Sequence, residues 1–141
     1  MGSVLGKNDA ISGVIAGWTV PFSTNFVAHL NGGSGFNSTV GIMTDFALLK
    51  ISIDQNIKEG ETYEIGATAS EDHKVRLEFD DTRSGEQGTY LATSGKFTVL
   101  YLQGRVLKAS FHFKAKTAAL HHALEMDFTS GSFIVEDFKH D

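Results

Sequence analysis

The stretch "KASFHFKAK" (residues 108–116) decides the fold class, because its side chains alternate between apolar and polar with a period of two. The apolar side consists of Ala109, Phe111, Phe113 and Ala115, and the polar side of Ser110, His112, Lys114 and Lys116. Successive side chains of a β-strand point to opposite faces of its sheet. The stretch is therefore predicted to be a strand with one face in the core and the other in water.

The same period recurs along the chain, for example in "KVRLEFD" (74–80). The segment "FTVLYL" (97–102) is apolar on both faces apart from Thr98, which indicates a central strand or one covered on both sides. The tripeptide "TSG" occurs twice, in "TSGKF" (93–97) and in "TSGSF" (129–133). We interpret both copies as the same type of turn, each leading into a strand of the sheet.

Regularly spaced short strands with glycine-bearing turns predict an all-β fold. We expect residues 1–141 to form a single antiparallel β-sandwich domain of about nine or ten strands. The alternative is a small closed β-barrel of lipocalin type, which the apolar run 97–102 and the eleven phenylalanines fit almost as well. Residues 1–8 are expected to be disordered or left over from cloning.

The composition excludes several classes of function. The formal net charge is −5 and no basic tract is present, so no binding to nucleic acid is predicted. The absence of cysteine excludes thiolate metal sites, iron–sulfur clusters and cysteine nucleophiles. No apolar run approaches the ~20 residues of a membrane-spanning helix, so no transmembrane segment is predicted.

The segment that follows the opening stretch predicts the second strand of a hairpin. A turn centred on residues 118 and 119 would pair Phe113 with Leu124 and Phe111 with Met126 on the core face. The same register places His112 opposite Glu125 on the polar face, and a shift by two residues places it near Asp127 instead. We therefore expect His112 to pair with a carboxylate of the neighbouring strand.

Two further histidines, His121 and His122, are adjacent in the sequence and would point to opposite faces of a strand. They therefore do not converge with His112 on one point, as three zinc ligands must. No metal site and no cofactor are predicted. The acidic loop "FDDTRSGEQG" (79–88) is interpreted as a solvated turn rather than a calcium site, since the EF-hand spacing is absent.

The candidate ligand-binding residues are aromatic residues able to stack against a ligand, together with the histidine–carboxylate pair. They are Trp18, Tyr90, Tyr101, His112 and Glu125. No nucleophile motif is present, because "GGSGF" (32–36) lacks the spacing of a nucleophile elbow. No catalytic residue is therefore assigned.

A set of small and aromatic residues in the C-terminal half forms a recognisable pattern. It consists of Gly88, Tyr90, Ser94, Gly95, Phe111, Phe113, Gly131 and Phe133, with "EGETYEIG" (59–66) upstream. The last 80 or so residues thereby resemble small bacterial extracytoplasmic β-sandwich domains of unknown function, which are often lipid-anchored. The family usually has a small polar residue and a glycine where this chain has Lys108 and Ala109. The resemblance implies a sandwich and export, and it carries no catalytic residues.

We accordingly predict a non-enzymatic binding or structural module located outside the cytoplasm, whose partner is a small molecule or a protein. The loops at the ends of the sheet would carry recognition. One alternative is a β-barrel that carries a small apolar ligand. The other is a small β-barrel enzyme in which His112 acts with Glu125 or Asp127 as acid and base.

The assignment of residues 108–116 to a core face and a polar face can be tested by mutation. Phe113→Ala should lower the free energy of unfolding by roughly 3–5 kcal/mol, because it truncates a core side chain. His112→Ala, the adjacent control on the polar face, should change it little. Urea titrations of the two variants measure the difference, and equal losses would contradict the assignment.

Overall fold

The computed structural model describes residues 9–31, 35–43, 47–67, 73–81, 88–117 and 123–139. Within these ranges the chain forms ten strands and no helix. The strands are β1 (Ala10–Ile15), β2 (Phe22–Thr24), β3 (Val27–Asn31), β4 (Phe36–Met43), β5 (Ala47–Asp54), β6 (Thr62–Gly66), β7 (Val75–Asp81), β8 (Thr89–Gln103), β9 (Val106–Thr117) and β10 (Glu125–Val135). In the same ranges there is consequently no helix with the length and apolar character needed to cross a membrane.

All ten strands belong to one sheet, in the order β2-β1-β10-β9-β8-β6-β7-β5-β4-β3. The two strands at the ends of this order, β2 and β3, are separated in the chain only by Asn25 and Phe26. Strand β2 pairs with β1, and β3 pairs with β4 on the other side. A single bent segment of chain thus joins the two ends, and the sheet is nearly closed on itself.

The pairing is antiparallel except where β6 meets β7, in a two-residue parallel contact between Ile65–Gly66 and Val75–Arg76. Strands β7 and β8 pair directly at one end of the sheet, around Phe79 and Tyr90. At the other end they diverge, and β6 lies between them. The predicted antiparallel sheet is therefore antiparallel at every pairing except that of β6 with β7. This pairing is parallel because β6 is inserted between β7 and β8 where those two strands diverge.

The predicted all-β fold is confirmed. The strand pairing shows one sheet and not the two sheets of the predicted sandwich. This single, nearly closed sheet fits the alternative prediction of a small β-barrel. Alternating strands supply a core face in either arrangement, so period two alone does not distinguish a sandwich from a barrel. The predictions for residues 1–8, His121 and His122 fall outside the described residues.

The interior is built largely from phenylalanines, of which eight of the eleven are buried within the described ranges. These are Phe22, Phe79, Phe97, Phe111, Phe113, Phe128, Phe133 and Phe138. At the centre of the β9–β10 wall the ring of Phe128 stacks on Phe113 with a centroid distance of 4.9 Å, and on Phe111 at 5.3 Å. Stacked rings at this spacing fill space at core density.

Glycines on the neighbouring strands make room for these three rings. A Cβ atom added to Gly13 of β1 would overlap the ring of Phe128, and one added to Gly131 of β10 would lie 2.8 Å from ring atoms of Phe111. Gly95 of β8 lies directly opposite Phe113. Glycine is needed at these positions because no other residue allows so close an approach.

Both copies of "TSG" lie inside long strands, so their interpretation as turns was wrong. The register of β8 with β9 shifts between Ala92 and Ser94, and that of β10 with β9 shifts between Phe128 and Gly131. Each copy is thus a β-bulge on one side of β9. Ser130 has a φ of 53°, in the left-handed region, as expected at such a bulge. Bulges bend a strand and increase its twist, which a sheet needs in order to close.

The packing of Gly13 against Phe128 can be tested by mutation. Gly13→Ala should destabilise the protein by about 1–3 kcal/mol, because the added methyl group overpacks the core. Phe128→Leu removes the ring, so the double variant should lose less than the sum of the two single losses. Chemical denaturation measures the free energies of unfolding of the wild type, the two single variants and the double variant. Ser12→Ala, one position earlier on β1, is the control, and additive losses would contradict the proposed contact.

Candidate functional site

The five residues predicted to bind a ligand lie on opposite faces of the sheet. Trp18 and Tyr90 contact the core, whereas Tyr101, His112 and Glu125 are exposed on the outside. The structure therefore does not bring the five into one site. It brings Trp18 and Tyr90 to the same end of the barrel.

Among the described residues His112 pairs with no carboxylate, and the predicted hairpin register is wrong. Glu125 lies opposite Lys116, and Asp127 lies opposite Lys114. Lys116 is four positions along β9 from His112, which corresponds to about 13 Å at the rise of ~3.3 Å per residue. The cross-strand neighbour of His112 on β8 is Lys96. The faces were predicted correctly because a shift by an even number of residues preserves them.

The shifted register also changes the core partners of the hairpin. Phe113 pairs with Phe128 and Ala115 with Met126, instead of Phe113 with Leu124. Leu124 is 43% exposed and precedes the strand. The structure favours this register because it stacks the phenylalanine rings and places Gly131 beside Phe111.

Tyr101 lies outside the barrel as the result of a third bulge. The register of β8 with β9 shifts between Val99 and Tyr101, and both Leu100 and Tyr101 are exposed, at 60% and 40%. Of the two alternatives predicted for 97–102, a central strand is what the sheet order shows, whereas cover on both sides fails at these two residues. The Lys108 ammonium lies 5.5 Å from the centroid of the Tyr101 ring, a weak cation–π contact at an exposed site.

Trp18 and Tyr90 contact the same core residue at one end of the barrel, which we call the aromatic end. The centroid of Phe79 lies 5.8 Å from that of Trp18 and 6.3 Å from that of Tyr90, with edge-to-face geometry in both pairs. Phe22 adds a third edge-to-face contact to Phe79, at 5.8 Å. Trp18 is half-buried, so this cluster extends from the core to the surface.

Polar groups reach the interior at the aromatic end. Asp81 is the last residue of β7 and is 7% exposed, and its backbone N–H donates to the carbonyl of Gly88 at 2.7 Å. Burial, and secondly the negative charge of Asp81, raise the pKa of Tyr90 above its ordinary value of 10.0. The tyrosine therefore stays a neutral hydrogen-bonding group through the physiological range.

The opposite end of the barrel is covered by the C-terminal segment. Phe138 is 1% exposed, and its backbone N–H donates to the carbonyl of Arg105 at 2.9 Å. The side-chain amide of Asn37 donates to the carbonyl of Lys139 at 2.6 Å and accepts from its N–H at 3.0 Å. Ile57, also buried, comes from the connection between β5 and β6.

A second polar pair, Asp9 with His29, was missed in the sequence. His29 Nε2 lies 2.7 Å from Asp9 Oδ2, and the Asp9 side chain is fully buried. The other carboxylate oxygen of Asp9 accepts the N–H of Glu136 at 2.9 Å. Asp9 thereby links β3 to the chain just after β10. The parity of "VAH" (27–29) could have placed His29 on the core face with Val27, but no local pattern identifies Asp9 as its partner.

A groove on the outside of the β8–β9–β10 wall lies near the aromatic end and has a volume of about 310 Å³. We call it the charged groove. Its lining residues are Ala16, Thr93, Lys114, Ala115, Glu125, Met126 and Asp127. Glu125, predicted as a ligand-binding residue in partnership with His112, thus shares a groove with Lys114 instead. The described ranges, this groove included, contain no group of three His, Asp or Glu side chains positioned to hold a metal ion.

Comparisons of the chain with protein-family models, with curated proteins and with solved structures give no match. The resemblance to extracytoplasmic β-sandwich domains therefore stays a prediction.

The environment of Tyr90 predicts a measurable alkaline transition. Because the folded-state pKa of Tyr90 is raised, the unfolded chain releases this proton first, and stability falls as the pH rises through 10.0 toward the folded-state value. The Tyr90→Phe variant has no phenol to ionise at this position, so its free energy of unfolding should not show this contribution to the decrease at alkaline pH. Absorbance titration of tyrosinate, as a difference between wild type and variant, locates the pKa. Asp81→Asn should bring the pKa of Tyr90 only part of the way back to 10.0, since burial is the larger cause of the shift. A pKa at or below 10.0 in the wild type would contradict the predicted shift.

Proposed function

We propose that this protein is a non-enzymatic binding module that holds a small ligand at the aromatic end of its barrel. The observation that carries the proposal is the position of Asp81 and Tyr90 beside Phe79 and Trp18. Small-molecule sites typically combine apolar and aromatic surface with a few polar groups that fix orientation. Barrels of lipocalin type hold ligands at such an end, and we include closure of this kind in the proposal.

The chemistry of the site indicates which ligand it would take. Trp18, which is half-buried, offers aromatic surface to an aromatic or apolar body, and Phe79 and Tyr90 hold its ring in place from the core side. Asp81 supplies negative charge, which favours a ligand with a cationic or other hydrogen-bond-donating group. We therefore propose a small aromatic amine as the ligand class.

The enzyme alternative receives less support from the geometry. It required His112 beside Glu125 or Asp127, and the register of β9 with β10 separates them. The expected location outside the cytoplasm is retained as part of the proposal. It is supported by the resemblance of the C-terminal half.

The single tryptophan of the chain lies in the proposed site and reports on it directly. Phenethylamine should change the emission of Trp18 saturably, whereas phenylpropanoate, with a carboxylate in place of the amine, should not. Asp81→Asn should weaken binding of phenethylamine by about tenfold or more, which corresponds to the loss of one charged hydrogen bond. Fluorescence titration measures both.

Asp127→Asn in the charged groove is the matched control and should bind phenethylamine like the wild type. A saturable response that Asp81→Asn leaves unchanged would contradict the proposal. So would equal binding of the amine and the carboxylate.

A further inference from the structure

We propose that the Trp18 loop, residues 17–21 between β1 and β2, is a lid that controls entry of the ligand at the aromatic end. Opening moves the indole ring away from Phe79, so that the amine of the ligand can pass to Asp81. Closure returns the ring to Phe79, with the aromatic body of the ligand against it. The lid serves the proposed binding function, on which this inference rests.

The group that would hold the amine is almost inaccessible in the closed structure. Asp81 is 7% exposed, and Phe79 and Tyr90 beside it are buried as well. A charged hydrogen bond to Asp81 requires the nitrogen of the ligand to come within about 2.7–2.9 Å of a carboxylate oxygen. A part of the aromatic end must therefore move before the two groups can meet.

The Trp18 loop can move without breaking the sheet. The chain is held in the sheet up to Ala16, whose N–H donates to the carbonyl of Asp127 at 3.0 Å, and β2 begins at the fully buried Phe22. Of the five residues between these two anchors, Trp18 is half-buried and the other four are exposed. Trp18 is thus the member of the aromatic cluster that lies on a connection, whereas its partners lie on strands.

Gly17 provides the hinge of the lid. The N–H of Trp18 donates to the carbonyl of Ile15 at 3.0 Å, which closes a four-residue turn with Gly17 in the third position. Gly17 has a φ of 86°, in the left-handed region, where a residue with a Cβ atom is strained. At the other end of the loop the ring of Pro21 fixes its own φ. Rotation of the loop is therefore expected at Gly17, in the manner of hinge residues next to other lids.

A second turn of the same construction lies at the opposite end of the barrel and provides a matched control. The N–H of Glu61 donates to the carbonyl of Lys58 at 3.2 Å, and Gly60, in the third position, also has a φ of 86°. A Cβ atom added to Gly17 or to Gly60 meets no atom within 4 Å. Alanine at either position therefore imposes the same backbone strain without a clash, but only the first turn carries Trp18.

The first experiment measures acrylamide quenching of Trp18, the single tryptophan, in the full chain without ligand. Gly17→Ala penalises the closed turn, so the open population should rise by about tenfold, the order set by the cost of a left-handed conformation for alanine. The quenching constant should therefore increase in Gly17→Ala and keep its wild-type value in Gly60→Ala. Equal quenching constants in the two variants would overturn the lid.

The second experiment follows binding of phenethylamine by stopped-flow fluorescence of Trp18. If opening precedes binding, the observed rate constant of the wild type should reach a plateau at high phenethylamine concentration. The plateau should be about tenfold higher in Gly17→Ala and unchanged in Gly60→Ala. Rates that rise linearly with concentration, with the same slope in all three proteins, would show that no lid opens.

A milder variant covers the case in which Gly17→Ala does not fold, which circular dichroism reveals. Asparagine adopts the left-handed conformation more readily than alanine, so Gly17→Asn should shift quenching and plateau in the same direction by a smaller factor. A Gly17→Asn protein that matches the wild type in both measurements would overturn the lid.

The lid and the proposed function can fail separately. If phenethylamine binds to none of the proteins, the proposed function fails, and the quenching measured without ligand decides on the lid alone. If phenethylamine binds in a manner that depends on Asp81 while Gly17→Ala changes neither quenching nor rate, the binding function stands and the lid is overturned.

Discussion

Three phenylalanine rings packed against strands that carry glycine are the constraint on which the rest of the structure depends. Phe128 stacks on Phe113 and Phe111 at centroid distances of 4.9 and 5.3 Å. The rings can approach the backbone so closely only because Gly13 and Gly131 have no side chain. The two bulges next to this cluster bend β8 and β10 around β9. Burial of the rings and curvature of the wall are thus coupled.

Curvature in turn places the two ends of the sheet next to each other. The short segment between β2 and β3 spans the remaining gap, and side chains link strands across it. The hydroxyl of Thr24 donates to the carbonyl of Ile42, and the buried carboxylate of Asp9 binds both His29 and the backbone of Glu136. A buried carboxylate needs such partners, since burial of an unpaired charge is costly. Asp9 therefore contributes to closure as well as to local order.

The two ends of the barrel differ in chemistry. One is covered by the C-terminal segment through Phe138 and the paired hydrogen bonds of Asn37 with Lys139. The other carries Trp18, Tyr90 and Asp81, where aromatic surface meets buried polar groups. This asymmetry is the reason why we propose small-molecule binding at the aromatic end. The outer wall adds a separate feature, because the register of β9 with β10 brings Lys114 beside Asp127.

The sequence by itself determined the all-β class, the core faces of β7 and β9 and the burial of most phenylalanines. These properties follow from side-chain alternation, which is local. Only the tertiary structure decided the single nearly closed sheet, the bulges at "TSG", the hairpin register and the pairing of Asp9 with His29. Register shifts by even numbers of residues keep every side chain on its face, so alternation cannot choose among them. Contacts between residues far apart in the chain, such as the stacking of Phe128 on Phe113 and the fit of Gly13 against Phe128, made that choice.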